Sequence, residues 1–367
     1  MRNLVITFII IFITVCKSYG QSAEETGSQP GELSLRIKSL NFIKNAEYYN
    51  PIVEGYTMPG FFFQPELVYA PSGKVTLRAG THLLKYWGTE KFSKVRPVFS
   101  TTLDLSENTS LTLGTLSGSD RHRLFDPHFN SERLYNAYVE DGFQLTGKND
   151  NLFNDTWLSW ENYIFKGDST REILTFGESF RYTSSPVAEF LHFEVPVQVQ
   201  LKHFGGQISN YSEPVETFLN LATGLRLNAD LAEKRCGQAG IEYLQFINNE
   251  FNGESQSGIS YGYASWIRLH YTFKALYFGA AYWKSHNFFA PNGNPIYGSV
   301  SDYQPGVVMP DRRIISNFVY LTLLPESYLE LFLGLDTYYD VDLKRLDHSI
   351  TLHLNFDKLF KLATLKQ

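Results

Sequence analysis

The stretch LHFEVPVQVQLK, residues 191–202, alternates between two kinds of side chain. Side chains spaced two apart lie on the same face of a β-strand, so this pattern predicts a strand with two unlike faces. With 12 residues it is about twice as long as the roughly five or six of an ordinary soluble strand. One face is apolar, with Leu191, Phe193, Val195, Val197, Val199 and Leu201; the other carries His192, Glu194, Pro196, Gln198, Gln200 and Lys202.

The same alternation recurs along the chain, for example at residues 219–227, 329–336 and 349–356. Applied throughout, it predicts about 16 strands, within a range of 14–18, and no long helix. The last strand is expected to end near Phe356, and the role of the residues after it stays open. The pattern indicates an all-β protein.

The predicted connections are short and long in near alternation. Tight turns such as residues 71–73 contrast with long polar or Gly/Pro-rich segments such as 118–138 and 287–311. Unpaired backbone groups are costly in hydrocarbon, so strands cross a bilayer only as a closed barrel. We therefore predict a transmembrane antiparallel up-and-down β-barrel with its short turns on the periplasmic side. Aromatic residues near strand ends, such as Trp157, Trp160 and Trp283, are expected at the membrane–water interfaces.

The N-terminus predicts export. Arg2 precedes an apolar run, and Ser18 and Gly20 are small residues at the positions that a signal peptidase reads. We interpret residues 1–20 as a cleaved signal peptide and residues 21–367 as a single barrel domain in the outer membrane of a Gram-negative bacterium.

Charge and cysteine content limit the partners. The 32 basic and 38 acidic side chains include no basic run, so nucleic acid is not expected. Without the leader, Cys236 is the one remaining cysteine, and the sequence predicts no metal site and no cofactor. Expected partners are outer-membrane lipid, the barrel assembly machinery and small solutes; the oligomeric state stays open.

Three segments resemble a group of largely uncharacterised outer-membrane barrels from Bacteroidetes: NFIKNAEYYNPIVEGYTMPGFFFQPEL (41–67), KVTLRAGTHLLKYWG (74–88) and DTWLSWENYIFKGD (155–168). The likeness covers most of the chain after the leader. It implies an outer-membrane, porin-like barrel, and it brings no catalytic or ligand residues with it.

The polar strand faces predict a lumen that carries both signs of charge. Charged side chains are expected to point inward, because a basic residue facing the middle of a bilayer costs roughly 2–4 kcal/mol. The candidate lumen and constriction residues are Arg36, Lys38, Arg78, His82, Glu161, Glu194, Lys202, Arg226, Arg268, His270, Glu330, Asp336 and His353. Loop candidates are Arg121, His122, Arg123, Asp126 and His128, in a loop that either folds into the pore or lies on the surface.

The favoured function is a passive channel for small polar or anionic solutes, because a 16-strand barrel is wide enough for water. A non-conducting structural or adhesion barrel is the alternative, and a secreted β-sandwich is a further one. An outer-membrane enzyme is a third function, and it is not expected because no catalytic motif is present; Ser285-His286 are treated as chance neighbours.

Overall fold

The computed structural model describes residues 29–116, 122–206, 208, 210–212, 214–231, 236–251, 257–326 and 328–365. The predicted signal peptide lies outside these residues. Sixteen strands form the fold. They are β1 (Glu32–Glu47), β2 (Tyr56–Ser72), β3 (Val75–Tyr86), β4 (Lys94–Ser106), β5 (Thr109–Thr115), β6 (Asp141–Lys148), β7 (Leu152–Asn162), β8 (Glu172–Thr183), β9 (Leu191–Gly205), β10 (Glu216–Asp230), β11 (Gln238–Glu250), β12 (Tyr261–Phe273), β13 (Leu276–His286), β14 (Asp311–Glu326), β15 (Leu329–Asp340) and β16 (Arg345–Thr364).

Each strand pairs antiparallel with its neighbours in the chain, and β1 pairs with β16 to close the barrel. This confirms the predicted fold class and strand number. Closure leaves no free sheet edge between the first and last strands, so backbone donors and acceptors along the wall have partners. The helical elements described are short, α1 (Arg133–Asn136) and a 3-10 turn at Pro295–Tyr297. Within the described residues, no helix is long and apolar enough to cross a membrane.

The two faces of the alternating strands have different surroundings. In β9 the even residues Gln198, Gln200 and Lys202 are buried inside the barrel, whereas Val197 and Val199 on the other face are only half-buried. Large exposed apolar residues continue on the outer face of other strands, including Ile267, Ile315, Ile350 and Leu352. The outer wall therefore carries the apolar face of the strands, and the lumen carries the polar face.

Connections of unlike length lie at opposite ends of the barrel. Turns between β2 and β3, β4 and β5, β12 and β13, and β14 and β15 are short, and they share one end with the beginning of β1 and the end of β16. The other end carries the long loops, 116–140 and 287–310 among them. We call it the long-loop end, and we call the opposite end the short-turn end. Outer-membrane barrels place long loops outside the cell.

The last strand is longer than predicted. It continues past Phe356 to Thr364, where it pairs with Glu32 at the beginning of β1. The expected end at Phe356 was therefore wrong. The reason is geometric, because β1 starts at Glu32 and needs a partner strand along its whole length to close the wall.

Pro196 interrupts the wall without breaking it. Its missing N–H coincides with a gap in the ladder between β9 and β10, and the hydroxyl of Thr223 donates to the Pro196 carbonyl at 3.0 Å.

Candidate functional site

The predicted lumen residues follow the inward alternation of their strands, and all are buried or half-buried there except Glu161 and Glu330, which are exposed. A row of four charges crosses neighbouring strands: Glu194, Arg226, Glu242 and Arg268 stand directly opposite one another on β9 to β12. Arg226 contacts Glu194 at 2.9 Å and Glu242 at 2.7 Å, and Arg268 contacts the other oxygen of Glu242 at 3.1 Å. Sequence periodicity missed Glu242, which completes the row.

The other lumen charges also have partners. Arg36 donates to both carboxylate oxygens of Asp357 at 2.8 Å, and Lys202 pairs with Glu161. The remaining predicted residues each contact a neighbouring side chain: Lys38 Nζ and Tyr138 Oη at 3.2 Å, Arg78 Nε and Ser100 Oγ at 2.8 Å, His82 Nδ1 and Gln64 Oε1 at 2.8 Å, Tyr320 Oη and Asp336 Oδ1 at 2.8 Å, His353 Nδ1 and Tyr135 Oη at 2.9 Å, His353 Nε2 and Glu330 Oε1 at 3.9 Å, and the stacked rings of His270 and Tyr277.

The loop between β5 and β6 enters the lumen, and we call its residues 122–140 the first plug segment. His122 is fully buried; Nδ1 bonds Asp155 at 2.8 Å and Nε2 bonds Glu140 at 2.7 Å, while its ring stacks on Trp157 at 3.7 Å. Arg133 reaches the second oxygen of Glu140 at 3.0 Å. Burial lowers the pKa of His122, but the bonds to Asp155 and Glu140 outweigh it and raise that pKa to about 9. The ring is therefore a charged imidazolium that fixes the segment to the wall.

Other loop candidates lie in the same segment, except Arg121, which lies outside the described residues. The carbonyl of Arg123 accepts a bond from Gln198 of β9 at 3.1 Å. Asp126 accepts a bond from Asn294 at 2.6 Å. These contacts join the segment to the barrel wall on one side and to a second long loop on the other.

That second loop, residues 287–310 between β13 and β14, also enters the lumen, and we call it the second plug segment. The side chain of Asn292 accepts a hydrogen bond from Lys202 at 3.0 Å. Lys202 belongs to β9, which is several strands away around the barrel from β13 and β14. The ring of Tyr297 packs against Trp266 and Trp283, with centroids 5.7 and 5.1 Å apart. Sequence analysis identified this loop by its length but did not predict its inward course.

Several aromatic residues belong to the plug contacts rather than to an interface girdle. Trp157 and Trp283 are buried and point inward, so their predicted place at the membrane surface was wrong, whereas Trp160 is exposed. His128 is buried against Phe246, at 5.2 Å between rings. Inward aromatic residues are needed because both plug segments require an apolar surface to pack on.

The outer wall carries a different kind of site near the long-loop end. His286, at the end of β13, donates from Nδ1 to Asp311 at the start of β14, with 2.8 Å between the atoms. Its Nε2 lies 3.3 Å from the side-chain amide of Asn287, which assigns Nε2 as the acceptor. The side chain of His286 is 41% exposed to solvent and that of Asp311 is 80% exposed. The ring centre of Tyr263 lies 5.6 Å from that of the imidazole. In this state the Asp311 carboxylate orients the imidazole, and its one lone pair, on Nε2, accepts the long 3.3 Å bond from the Asn287 amide, which a water molecule has to replace before it can reach Nε2.

Cations and a hydroxyl stand one row below this pair. Register places Ser265, Lys284 and Arg313 directly beside one another on β12, β13 and β14, all on the outer face. Arg313 is paired with Asp342, and Ser265 accepts a bond from Gln245 at 2.7 Å. We call His286, Asp311, Ser265, Lys284 and Arg313 together the rim cluster.

An apolar belt begins in the next row of the wall. Ile267, Tyr282, Ile315 and Tyr339 face outward there and are exposed. Two residues of strand span about 7 Å, so the rim cluster lies within roughly 7–14 Å of this belt. In a bilayer, that is the depth of lipid headgroups and of the linkages that carry their acyl chains.

A second polar group lies on the outer face of β1, β2 and β16. Glu47 accepts bonds from Asn45 and Tyr49, both at 3.1 Å, and Asn45 accepts from Thr57. His348 stands opposite Glu47 across the strand pair. This group has a hydroxyl, a carboxylate and an imidazole, but no hydrogen bond between the last two is present.

A third outward histidine, His203, bonds the hydroxyl of Thr217 at 2.9 Å. Neither this pair nor the β1–β2 group combines a carboxylate-bonded imidazole with neighbouring cations. The rim cluster does, so it has the most complete set of groups for attack on an ester.

Sequence reasoning could not assemble the rim cluster. Ser285 and His286 are adjacent in the chain, yet Ser285 is buried in the lumen and His286 points outward. The partner of His286 is Asp311, 25 residues further on, across the second plug segment. The available signal was that His286 directly precedes the long predicted connection 287–311 and Asp311 is its last residue.

Three comparisons with known proteins bear on this geometry. A family described as Lipid A 3'-O-deacylase-type matches residues 24–365. Among solved structures, OprD of Pseudomonas aeruginosa, an outer membrane protein, is 13% identical, with a TM-score of 0.53, and covers 94% of this chain and 98% of that one. OmpT of Vibrio cholerae without loop L8, also an outer membrane protein, is 10% identical with a TM-score of 0.53, over 89% of this chain and 99% of that chain. No functionally curated protein matches.

The structural likenesses concern the fold alone. The family match corrects one prediction from sequence: the chain was not expected to be an enzyme, and that expectation was wrong, because the family is named for an enzymatic activity. The error came from a search for linear motifs, which cannot detect residues contributed by separate strands.

Proposed function

This chain belongs to the Lipid A 3'-O-deacylase-type family, and we propose that it is an outer-membrane hydrolase that removes an ester-linked acyl chain from lipid A. The observation that carries the proposal is the hydrogen bond of 2.8 Å between His286 and Asp311 on the outer wall. It gives an imidazole the tautomer of a general base at a place that membrane lipid can reach.

The reaction proposed is hydrolysis by an activated water. Nε2 of His286 takes a proton from water while the water oxygen attacks the ester carbonyl carbon. Asp311 holds the ring and stabilises the imidazolium that forms. The oxyanion of the tetrahedral intermediate faces the ammonium of Lys284 in the row below. When the intermediate collapses, the sugar oxygen leaves with the proton from His286, and the products are a fatty acid and a free hydroxyl.

The surroundings of the rim cluster support a lipid substrate. Acyl chains would lie along the belt that begins with Ile267, Tyr282 and Ile315, and a phosphorylated headgroup would lie near Lys284 and Arg313. The acyl linkage of such a lipid then lies between the two regions, beside His286.

The test uses purified full-length protein in vesicles that contain lipid A, with mass spectrometry of the lipid and measurement of released fatty acid. Wild type is expected to release one ester-linked chain. His286→Gln is expected to lower the rate by about 10²–10⁴-fold, the usual contribution of a general base. Asp311→Asn is expected to lower it less, because the imidazole keeps its place but loses its charge partner.

His348→Gln and His203→Gln are matched controls, since each removes another outward histidine from the long-loop end. Both are expected to keep wild-type rates. Full activity of His286→Gln, together with lost activity of His348→Gln or His203→Gln, would place the catalytic base at the histidine whose loss abolishes activity. If wild type releases no fatty acid, the proposed hydrolase activity is rejected.

A passive channel is the second candidate, favoured by the 16 strands and by the polar faces in the lumen. In this structure both plug segments fill much of that lumen, so conduction would require them to move. Recordings of ion conductance in planar bilayers test it. Steady conductance of wild type supports an open channel. No conductance of wild type, with conductance in a variant that lacks His122, supports a plugged channel.

A further inference from the structure

A small basic cavity lies under the first plug segment, at the short-turn half of the lumen. Its volume is about 30 Å³, and it is lined by Arg123, Arg181 and Arg226 but by no acidic residue. The hydroxyl of Ser179 and the amide of Gln198 line it too. This is room for a small ion and not for a sugar.

Two of the three guanidinium groups have uncommitted donors. Arg123 and Arg181 both lie over the ring of Phe153, with 4.2 and 5.6 Å from guanidinium carbon to ring centre. Among the described residues, Arg123 makes no ion pair, and Arg181 has one carboxylate, Glu194, at 3.8 Å. Each guanidinium carries five N–H donors, so most of them remain available for a ligand.

Positive charge exceeds negative charge around the cavity. Among the described residues, the three cavity arginines and the ion-pair row beside them comprise four arginines and two glutamates, a surplus of two positive charges, since Glu194 and Glu242 are each shared by two arginines. The residues concerned are Arg123, Arg181, Arg226, Arg268, Glu194 and Glu242. Arg181 is attracted by Glu194 and, less strongly, repelled by Arg123 and Arg226. An anion between them would remove this repulsion.

The plug is shaped to bring Arg123 to this place. Its φ of 57° is in the left-handed region, which is unfavourable for a residue with a Cβ. Gln198 holds the strained turn by donating to the Arg123 carbonyl at 3.1 Å and accepting from the Phe125 amide at 3.0 Å. The strained turn and the bonds from Gln198 together fix the position of Arg123, the arginine that the first plug segment contributes to the cavity lining.

We propose that this cavity binds a small tetrahedral oxyanion, inorganic phosphate or sulfate, between Arg123 and Arg181. Planar guanidinium groups bind such ions through paired hydrogen bonds, and the Ser179 hydroxyl adds a donor. The site is separate from the rim cluster and does not depend on the hydrolase activity. Bound anion joins the plug to β8 and so holds the first plug segment in the lumen.

Titration of the full-length protein with inorganic phosphate, in detergent and at constant ionic strength with chloride as background, tests the site by calorimetry. Wild type is expected to bind one phosphate saturably, and sulfate is expected to compete. Arg123→Gln and Arg181→Gln are expected to weaken binding at least about tenfold. Lys274→Gln, which removes an exposed positive charge at a turn of the short-turn end, is the matched control and is expected to bind as wild type.

Phosphate line broadening in ³¹P NMR gives a second readout on wild type alone. Binding no stronger than that of chloride, or equal binding by wild type and Arg123→Gln, would overturn the proposal. Arg123 lies in the plug and not in the wall, so this variant serves even if Arg181→Gln does not assemble.

Discussion

The lumen and the outer wall each hold a histidine bonded to a carboxylate, and the two pairs differ in every property that matters for chemistry. His122 is enclosed, with Asp155 and Glu140 on its two nitrogens. His286 is half exposed, with Asp311 on one nitrogen and a neutral amide on the other. The first ring has no free lone pair, and its charge holds the first plug segment to Asp155 on the barrel wall. The second has its lone pair on Nε2, held only by the Asn287 amide at 3.3 Å, so it has the tautomer of a base.

This contrast shows which face of the barrel has side chains that can react when the plug segments occupy the lumen. Buried charges persist when they are paired, so the lumen charges are committed to one another and to the plug, apart from Arg123 and Arg181 at the basic cavity. Charges on the outer wall near its long-loop end keep contact with water and with lipid headgroups. If the contrast is correct, changes on the two faces should separate stability from activity.

The largest effect on barrel assembly is expected from Val197→Arg, which puts a charge at the middle of β9 on its outer face. A basic side chain at the bilayer midplane costs roughly 2–4 kcal/mol, so assembly should fail or the unfolding free energy should fall by that amount. Heat-modifiable gel migration measures it. Val197→Leu is the control, and normal assembly of Val197→Arg would reverse the two faces.

His122→Gln is expected to destabilise the plug without affecting hydrolysis. Loss of the imidazolium leaves Glu140 and Asp155 buried with unmatched charge, and breaking a buried pair costs about 3–5 kcal/mol. The thermal midpoint should fall, and channel steps should appear in planar bilayers. His286→Gln should show the opposite pattern, with an unchanged midpoint and lost hydrolysis. The contrast between lumen and wall fails if both variants lose the same property.

Plug stability should depend on pH in two directions. The pKa of His122 is raised to about 9 from an ordinary value of 6.5, so its contribution is complete below about pH 6.5 and is lost as pH rises through about 9. Burial raises the pKa of Glu140, but the bonds to His122 and Arg133 lower it overall, so its contribution is lost only in acid, below its ordinary range. Trp157 fluorescence, sensitive to the stacked imidazole, should follow the alkaline loss. His122→Gln should show no alkaline step.

The smallest effect is expected from Lys284→Gln in the rim cluster. Lys284 is exposed, so the thermal midpoint should not change measurably. The kcat/KM for the lipid substrate should fall roughly threefold, because the exposed Lys284 ammonium makes only a water-screened charge contact with the headgroup and with the oxyanion. High salt should reduce the difference between wild type and variant. A large fall in the midpoint would show that the outer charges stabilise the fold after all.

Much of the fold could be predicted from side-chain period alone. Strand faces follow from alternation, so residues such as Arg226 and Lys202 could be assigned to the lumen by parity. Their partners could not: Glu242 completes the charge row only through the register between β10, β11 and β12. The rim cluster was missed for the same reason, because His286 and Asp311 meet across two strands and a long loop.

The sequence by itself determined that the strands have two unlike faces and that they need a closed wall, because alternation with period two is a local property and a bilayer leaves backbone groups no other partners. Only the tertiary structure decided which loops enter the lumen, which charges neutralise one another and which carboxylate-bonded imidazole faces outward. These depend on contacts between residues such as His122 and Asp155, or Asn292 and Lys202, that lie far apart in the chain. Such contacts exist only after barrel closure has brought their strands and loops together.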